Sequence, residues 1–289
     1  MGNQLTKAGS FLALAFGTAT FLFICLYLLV ESYPALTDED GILAFLFEKP
    51  WAPLASPPVL GIFHAWLSTL YITLISLLLA VPIGFGIGLF VSELSPPWMR
   101  SALQPCLDLL AGIPSVVYGF FGYVTLLPWF ERNFEMATGE SVLATGLILA
   151  IMVLPYIASV SAESFRAVAF ELKEAGLAHG VSQWYMIRKV VIVQAMPGMF
   201  TAVALGLARA IGETLAVLML AGNSVAPPHS LLDRGQPLTA LIATELGEAG
   251  VASAKYHALF AAGLVLLILS VGINTLVWFL KKRMAADAR

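Results

Sequence analysis

The sequence contains little charge. Asp, Glu, Lys and Arg make up 11% of its 289 residues, whereas hydrophobic residues make up 59% and the mean hydropathy is +0.88. A soluble domain carries about 25% charged residues. This composition therefore predicts a protein that resides in lipid. The formal net charge is −3, so the chain also lacks the positive surface that binding to nucleic acid requires.

Residues and motifs for chemistry are scarce as well. The two cysteines, Cys25 and Cys106, and the four histidines lack the spacing of a disulfide framework or a metal site. The sequence contains no G-x-x-x-x-G-K-[ST], no H-E-x-x-H and no G-x-S-x-G motif. We therefore expect no metal, no cofactor, no nucleotide binding and no catalysis by this chain itself.

Long apolar runs, in contrast, are abundant. A helix needs about 20 apolar residues to cross the roughly 30 Å hydrocarbon layer of a membrane. The sequence thus predicts an all-α membrane protein with six transmembrane helices. The predicted spans are Phe11 to Val30, Ile62 to Val91, Leu103 to Phe130, Val142 to Val160, Met199 to Ala221 and Ala258 to Leu280. We divide the chain into residues 1–60, with the first span and an outer loop, and residues 61–289, a core with a cytoplasmic loop at about 161–197.

The second and third spans contain residues that interrupt helices. Pro82 lies in the second span, and Gly112 and Pro114 lie in the third. Both spans are therefore predicted to tilt or kink. Gly84 and Gly88 form a pair of small residues one helical turn apart, which predicts close contact with a neighbouring helix.

Lys and Arg residues predict the orientation, because cytoplasmic connections retain positive charge. One set of connections holds ten of them: Lys7, Arg100, Arg166, Lys173, Arg188, Lys189, Lys281, Lys282, Arg283 and Arg289. The opposite set holds four: Lys49, Arg132, Arg234 and Lys255. This imbalance predicts that both termini are cytoplasmic.

The longest cytoplasmic connection should itself be helical, because Ala, Glu, Leu, Lys and Arg dominate it. Charged and apolar residues alternate at helical spacing from Phe170, and Gly180 is suited to end the helix in a left-handed turn. A second helix is predicted from Gln183 to about Ala195. Periodicity alone favours an amphipathic hairpin lying at the membrane surface.

Two charged residues lie within the predicted fifth span, where ionised groups are costly unless they meet a partner or water. Arg209 and Glu213 are four residues apart and share one face of a helix. They could form an internal ion pair that fixes helix packing. Alternatively, Arg209 supplies positive charge to an anion that passes along the bundle, and Glu213 holds it when no anion is present. We favour the second interpretation.

Hydroxyl groups form a stripe in the second span, where Thr69, Thr73 and Ser76 are spaced for one helical face. Such hydroxyls more often join helices than bind substrate. Packing is therefore the favoured interpretation, and contact with a transported solute is the alternative.

Five separate segments carry a resemblance to a known family. In the loop, Glu174-Ala175-Gly176, Gly180, Ile187 and the run Val190 to Val193 resemble the EAA loop of ABC importer permeases, although Gly176 and Ile192-Val193 replace the usual Ala and Leu-Pro. The other four blocks, Leu110 to Gly119, Arg209 to Val217, Ala221 to Asn223 and Leu238 to Ala243, look like the PstC family of phosphate permeases. The similar blocks extend from about Leu60 to Leu280.

This resemblance implies a type I (MetI-like) ABC importer permease bundle in the bacterial cytoplasmic membrane. The chain would form half of the pathway, with a PstA-like sister permease, a PstB-like ATPase dimer that hydrolyses the ATP, and a PstS-like phosphate-binding protein. The implied substrate pathway is Arg209, Glu213, Thr214, Ser115, Thr69 and Thr73. The implied ATPase-coupling residues are Glu171, Glu174, Ala175, Gly176 and Gly180.

Other functions are compatible with parts of the pattern. An ABC permease for molybdate, sulfate or an amino acid would share the loop, and the Arg209 to Asn223 segment is what favours phosphate. A secondary transporter driven by an ion gradient is less favoured, because the sequence shows no duplicated halves. An intramembrane enzyme is the weakest alternative, since no carboxylate pair is arranged for acid–base chemistry.

Overall fold

The structure, a computed structural model, describes residues 2–37 and 41–287, and the predicted cytoplasmic residue Arg289 lies outside them. Nearly all elements are helices. The strands β1 (Trp51–Ala52) and β2 (Val59–Leu60) form a short antiparallel pair with Trp51 opposite Leu60. The main helices are α1 (Gly2–Leu36), α2 (Phe63–Leu94), α3 (Pro97–Gly112), α4 (Ser115–Phe134), α5 (Val142–Arg166), α6 (Phe170–Ala178), α7 (Gln183–Ile211), α8 (Leu215–Leu220), α9 (Leu238–Glu245) and α10 (Ala254–Asp287). Short helical turns cover Gly41–Leu43, Ala44–Glu48 and Leu246–Glu248.

The predicted spans correspond to long apolar helices. Within the described ranges, α1, α2, α5, α7 and α10 are each long and apolar enough to cross a membrane. The pair α3 and α4 makes a sixth span only if the two bent helices count as one. The apolar runs therefore located the spans, but not the shape of the third and fifth.

The third span, predicted from Leu103 to Phe130 with a kink at Gly112 and Pro114, is interrupted there completely. It ends at Gly112 and resumes at Ser115, and the two parts are bent by 88°. Ile113 and Pro114 between them have extended backbones, with ψ values of 129° and 138°. Proline lacks an amide donor and disfavours helical geometry in the residue before it, so the helix breaks there.

The fifth span also differs from its prediction. Instead of a loop helix ending near Ala195 and a separate span from Met199 to Ala221, α7 runs continuously from Gln183 to Ile211. Helices in membranes tolerate an internal proline such as Pro197, because neighbouring groups satisfy the freed carbonyl. The chain then leaves the helix, and α8 starts at Leu215. Glu213 therefore lies in a break between two helices and not on a helix face.

The described chain divides into two compact units. The first comprises Met1–Phe63 with Ile242–Leu267, and the second comprises His64–Leu241 with Ile268–Arg289. In the first unit α1 pairs with the start of α10: the hydroxyls of Tyr27 and Tyr256 lie 3.0 Å apart, and the His257 ring lies 2.8 Å from the Glu31 carbonyl oxygen.

In the second unit α5 is the central helix. Of the residues in its most apolar stretch, 67% are buried, against 28% or less in α1, α2, α7 and α10. Glycines let two neighbours approach it closely. A Cβ at Gly84 would lie 2.8 Å from Ile157 Cγ2, and one at Gly206 would lie 2.8 Å from the same side chain. The predicted close contact of Gly84 and Gly88 is thus confirmed.

This contact can be tested with two glycines of the same helix. We expect Gly88→Val to lower the melting temperature of the protein in detergent, because a Cβ there would lie 2.8 Å from Ser161 Cβ and 3.0 Å from Ala158 O. Overfilling a packed interface costs about 1–3 kcal/mol. Gly86→Val is the matched control, since a Cβ at Gly86 meets none of the other described atoms within 4 Å. Equal melting temperatures for the two variants would contradict the packing.

Candidate functional site

The predicted intramembrane ion pair is present at the end of α7. Arg209 Nη2 lies 3.5 Å from Glu213 Oε2. The two side chains differ in access: that of Arg209 is 39% exposed, and that of Glu213 is 3% exposed. The carboxylate is therefore enclosed, while the guanidinium has an open side from which a solute can approach.

Glu213 is held by hydrogen bonds from two other helices, α8 and α9. Its Oε1 accepts a hydrogen bond of 3.3 Å from the Ala216 amide, in the first turn of α8. Its backbone carbonyl accepts a hydrogen bond of 2.7 Å from the Thr239 hydroxyl of α9. A carboxylate at the start of a helix satisfies an otherwise unpaired amide. Glu213 is thus a fixed negative partner, and Arg209 is the more exposed member of the pair.

Arg209 also contacts the central helix. Its Cζ lies 5.9 Å from the centre of the Tyr156 ring, within the range of a cation–π interaction. The Tyr156 hydroxyl donates a 2.7 Å hydrogen bond to the Ala111 carbonyl, which directly precedes the break between α3 and α4. The Arg209 Nε is buried and has no hydrogen-bond partner among the described residues. The guanidinium carries five N–H donors, so an anion would bind the donors other than this enclosed Nε.

Three of the segments that resemble phosphate permeases meet at this position. Ala111 belongs to the segment Leu110 to Gly119, and Thr239 belongs to the segment Leu238 to Ala243. Arg209 and Glu213 belong to the segment Arg209 to Val217. Sequence reasoning missed Tyr156, which joins Ala111 of one segment to Arg209 of another. A phenol within an apolar span needs a hydrogen-bond partner, but nothing in the spacing indicates which one.

Of the remaining predicted pathway residues, two lie at helix breaks and two are buried in the second span. Thr214 lies in the same break as Glu213, and its hydroxyl donates to the Gly212 carbonyl at 3.4 Å. Ser115 is half-buried at the start of α4, just after the break in the third span. Thr69 and Thr73 are buried; the Thr69 hydroxyl donates to the Ala65 carbonyl and accepts from the Leu238 amide. Thr69 thus joins α2 to α9, as the packing interpretation expects.

The predicted coupling segment is a short helix that ends as expected. α6 covers Phe170–Ala178, and Gly180 has a positive φ of 76°, a conformation that glycine adopts without a steric cost. Glu171, Glu174 and Ala175 are exposed. A methyl group on Gly176 would lie 3.4 Å from Met186 Cγ, so the alanine usual in the EAA loop would also fit here.

Large apolar side chains are exposed on α6 and the first turn of α7. We call the four the inner patch: Phe170, Leu172, Trp184 and Tyr185. Beneath them lies a buried cluster made of Phe165, Val168, Met186, Ile187, Val191 and Ala195. Exposed apolar groups on a firmly packed base are typical of a surface that contacts a partner.

Comparisons with known sequences place this geometry in a family. Residues 80–286 match the profile of the "Binding-protein-dependent transport system inner membrane component" family. The chain is 36% identical over 282 residues to the "Probable ABC transporter permease protein YqgH" of Bacillus subtilis, covering 98% of this chain and 90% of that protein. It is 33% identical over 285 residues to the "Phosphate transport system permease protein PstC" of Haemophilus influenzae, covering 90% of this chain and 86% of that protein.

Solved structures share the fold. A bacterial alginate ABC transporter, in complex with an alginate pentasaccharide-bound periplasmic protein, matches with a TM-score of 0.66 and 16% identity over 98% of this chain and 97% of that one. The MetNI methionine ABC transporter in an inward-facing conformation matches with a TM-score of 0.59 and 20% identity, over 75% of this chain and 93% of that one. The expected helical fold of an ABC importer permease is confirmed. The chain therefore belongs to the family of binding-protein-dependent transport system inner membrane components.

Proposed function

We propose that this chain forms one half of the transmembrane pathway of an ATP-driven phosphate importer. The observation that carries the proposal is the Arg209 guanidinium, open on one side and opposed on the other by the fixed carboxylate of Glu213. As a transport subunit and not an enzyme, the chain relies on a separate ATPase subunit. Relatives named as phosphate permeases at 31–34% identity support the choice of solute.

The chemistry of Arg209 suits phosphate. A guanidinium presents its donors in a planar fork that can bind two oxygens of one anion. The contact of Arg209 with Glu213 is 3.5 Å long, beyond the roughly 2.7–2.9 Å of a strong charge-assisted hydrogen bond. An incoming oxyanion therefore competes against a weak contact.

Glu213 would then supply the means of release. An arginine without a nearby carboxylate would retain phosphate and slow transport, whereas Glu213 returns to the guanidinium as the anion leaves. Because Glu213 is tied to α8 and α9 through Ala216 and Thr239, the exchange requires movement of the Arg209 side chain alone. In the proposed pathway Thr214 and Ser115 lie at the two helix breaks and Thr73 lies in the second span, whereas Thr69 joins α2 to α9.

The proposed coupling site is α6 with the inner patch. Glu171, Glu174 and Ala175 are exposed on a short helix that Gly180 ends, so they are available to a cytoplasmic partner. An ATPase that closes on ATP would push this helix, and the packed spans would convert the push into alternating access. The exposed apolar side chains beside it add area for docking.

The proposed assembly follows from these sites. A PstA-like permease would complete the pathway, a PstB-like ATPase dimer would dock at α6, and a PstS-like binding protein would deliver phosphate from outside. Both termini would face the cytoplasm of a bacterial cell. Residues 61–289 would form the permease core and residues 1–60 an added span and outer loop, since the family profile begins at residue 80.

A transport assay in vesicles tests the proposal. The chain is co-expressed with a candidate sister permease and ATPase, and the uptake of radiolabelled phosphate is followed with the binding protein present. We expect uptake that needs ATP and survives a protonophore. Uptake that follows the proton gradient would instead support a secondary transporter. Stronger uptake of sulfate, molybdate or an amino acid would support an ABC permease for another solute.

The contact between Tyr156 and Arg209 gives a graded prediction. Tyr156→Phe keeps the ring but removes the bond to the Ala111 carbonyl, and Tyr156→Leu removes the ring as well. We expect the KM for phosphate to rise a few-fold in Tyr156→Phe, because the lost hydrogen bond contributes about 0.5–1.5 kcal/mol. The KM should rise further in Tyr156→Leu, because a cation–π contact contributes about 0.5–2 kcal/mol. Tyr118→Phe is the control, because it removes a similar bond to the Leu110 carbonyl. A KM that is equal in all four proteins would contradict the role of Tyr156.

A further inference from the structure

The helix α6 has little apolar attachment to the rest of its unit. None of its side chains that the structure describes is buried. The buried cluster beneath it is built from residues that precede and follow α6, such as Phe165, Val168 and Met186. A helix without buried side chains passes movement to its neighbours mainly through individual hydrogen bonds and ion pairs.

Besides its packing against the start of α7 near Met186, α6 has a polar contact with two further spans, made by Lys173. Its Nζ lies 2.7 Å from Glu93 Oε1 and donates a longer bond of 3.3 Å to the Phe165 carbonyl. The Lys173 side chain is 15% exposed and that of Glu93 is 7% exposed. Water competes poorly for such a pair, unlike an exposed surface ion pair. Lys173 thus joins α6 to the last turns of two spans, α2 and α5.

The end of α2 that carries Glu93 is firmly held. It is a π-helical turn, Phe90–Leu94. Arg100 of α3 donates to the carbonyls of Val91 and Ser92 at 2.9 and 2.6 Å. A force applied to the Glu93 carboxylate therefore displaces the end of α2 and does not simply unwind it.

From α2 the contacts continue to the proposed anion site. Gly84 and Gly88 bring α2 against α5 at Ile157 and Ser161. Tyr156, the neighbour of Ile157, lies under the Arg209 guanidinium. This is a continuous chain of packed groups of the kind that carries coupling between distant sites.

We propose that the Lys173–Glu93 ion pair is the link that passes movement of α6 to the second span. Lys173 and Glu93 are then positioning residues, which act through helix placement and touch no solute. The inference rests on the proposed coupling role of α6. It does not depend on which solute the pathway carries.

Reversal of the two charges tests the link in the whole complex, with the sister permease, ATPase and binding protein. Lys173→Glu and Glu93→Lys each place like charges together, so we expect phosphate uptake per ATP hydrolysed to fall about tenfold or more. The double exchange restores the attraction and should return the ratio to within about threefold of wild type. Lys281→Glu, a charge reversal at an exposed position of α10, is the matched control and should match wild type.

A second measurement follows α2 directly. In a protein with Cys25→Ser and Cys106→Ser, a fluorophore on Gly86→Cys reports movement of α2, because this position is exposed and has open space around it. We expect its ATP-dependent signal to vanish in both single reversals, although the ATPase still copurifies, and to return in the double exchange. The neutral pair Lys173→Gln with Glu93→Gln leaves no unpaired charge, and it should fold, bind the ATPase and still lack the signal.

The outcomes separate this inference from the proposed function. If the single reversals keep the wild-type signal, or if the double exchange resembles the single reversals while all of them remain folded, the link is disproved. If the wild-type complex takes up another solute in place of phosphate, the proposed function fails. The fluorescence signal still decides the link in that case.

Discussion

Arg209→Ala is expected to reduce ATP-dependent phosphate uptake by about a hundredfold or more, because removing the charged partner of a bound, desolvated anion typically costs about 2–5 kcal/mol in binding. The guanidinium is a cation beside the break between α7 and α8, and its side chain is 39% exposed. The measurement is the initial rate of labelled phosphate uptake in vesicles at several phosphate concentrations.

Two controls separate transport from folding in this experiment. Arg209→Ala alone leaves the Glu213 carboxylate buried without its charged partner, which would destabilise the fold. The double variant Arg209→Ala with Glu213→Gln removes that carboxylate charge, so it should assemble with its partners and still fail to transport. Arg209→Lys keeps the charge but loses the planar fork, and it should transport weakly. Uptake at the wild-type rate in the double variant would refute the anion role of Arg209.

Glu213→Gln is expected to strengthen the binding of phosphate, whereas Arg209→Ala weakens it. Without the competing carboxylate, Arg209 holds phosphate longer, so the KM should fall together with the maximal rate. If Glu213 serves only to stabilise the packing of α7 and α8, the variant should instead lose assembly and leave the KM unchanged. The glutamine oxygen can still accept from the Ala216 amide, which keeps the start of α8 intact.

Gly180→Val and Glu174→Ala are expected to uncouple ATP hydrolysis from transport. Gly180 has a φ of 76°, and a β-branched residue there costs about 1–3 kcal/mol, enough to displace the end of α6. Glu174 is exposed on the same helix, so its removal should weaken contact with the ATPase without disturbing the fold. We expect phosphate uptake per ATP to fall severalfold, while capture of phosphate by the binding protein is unaffected.

Gly180→Asn is the matched control for the backbone effect. Asn tolerates the left-handed conformation, and a Cβ at Gly180 would meet none of the other described atoms within 4 Å. Gly180→Asn should therefore keep coupled transport if the turn is what matters. If Gly180→Val and Glu174→Ala transport with the wild-type ratio, α6 is not the coupling helix.

Local features of the sequence determined much of this protein. The apolar runs located the spans because a bilayer requires about 20 apolar residues in a helix whatever surrounds them. Gly180 ended α6 because its conformation is a property of one residue and its two neighbours. Arg209 and Glu213 were found because charge is rare in a span, and they are in contact although Glu213 lies beyond the end of α7.

Tertiary structure decided how these features are used. Glu213 lies in a break and α7 continues through Pro197, since groups on other helices settle whether a helix in lipid continues or stops. Tyr156 reaches Arg209, and Lys173 reaches Glu93, across 53 and 80 residues of sequence. A contact between distant residues depends on how the helices pack, and helix periodicity carries no information on that. Which charges exist was therefore fixed by the sequence, and which of them meet was fixed by the packing around α5.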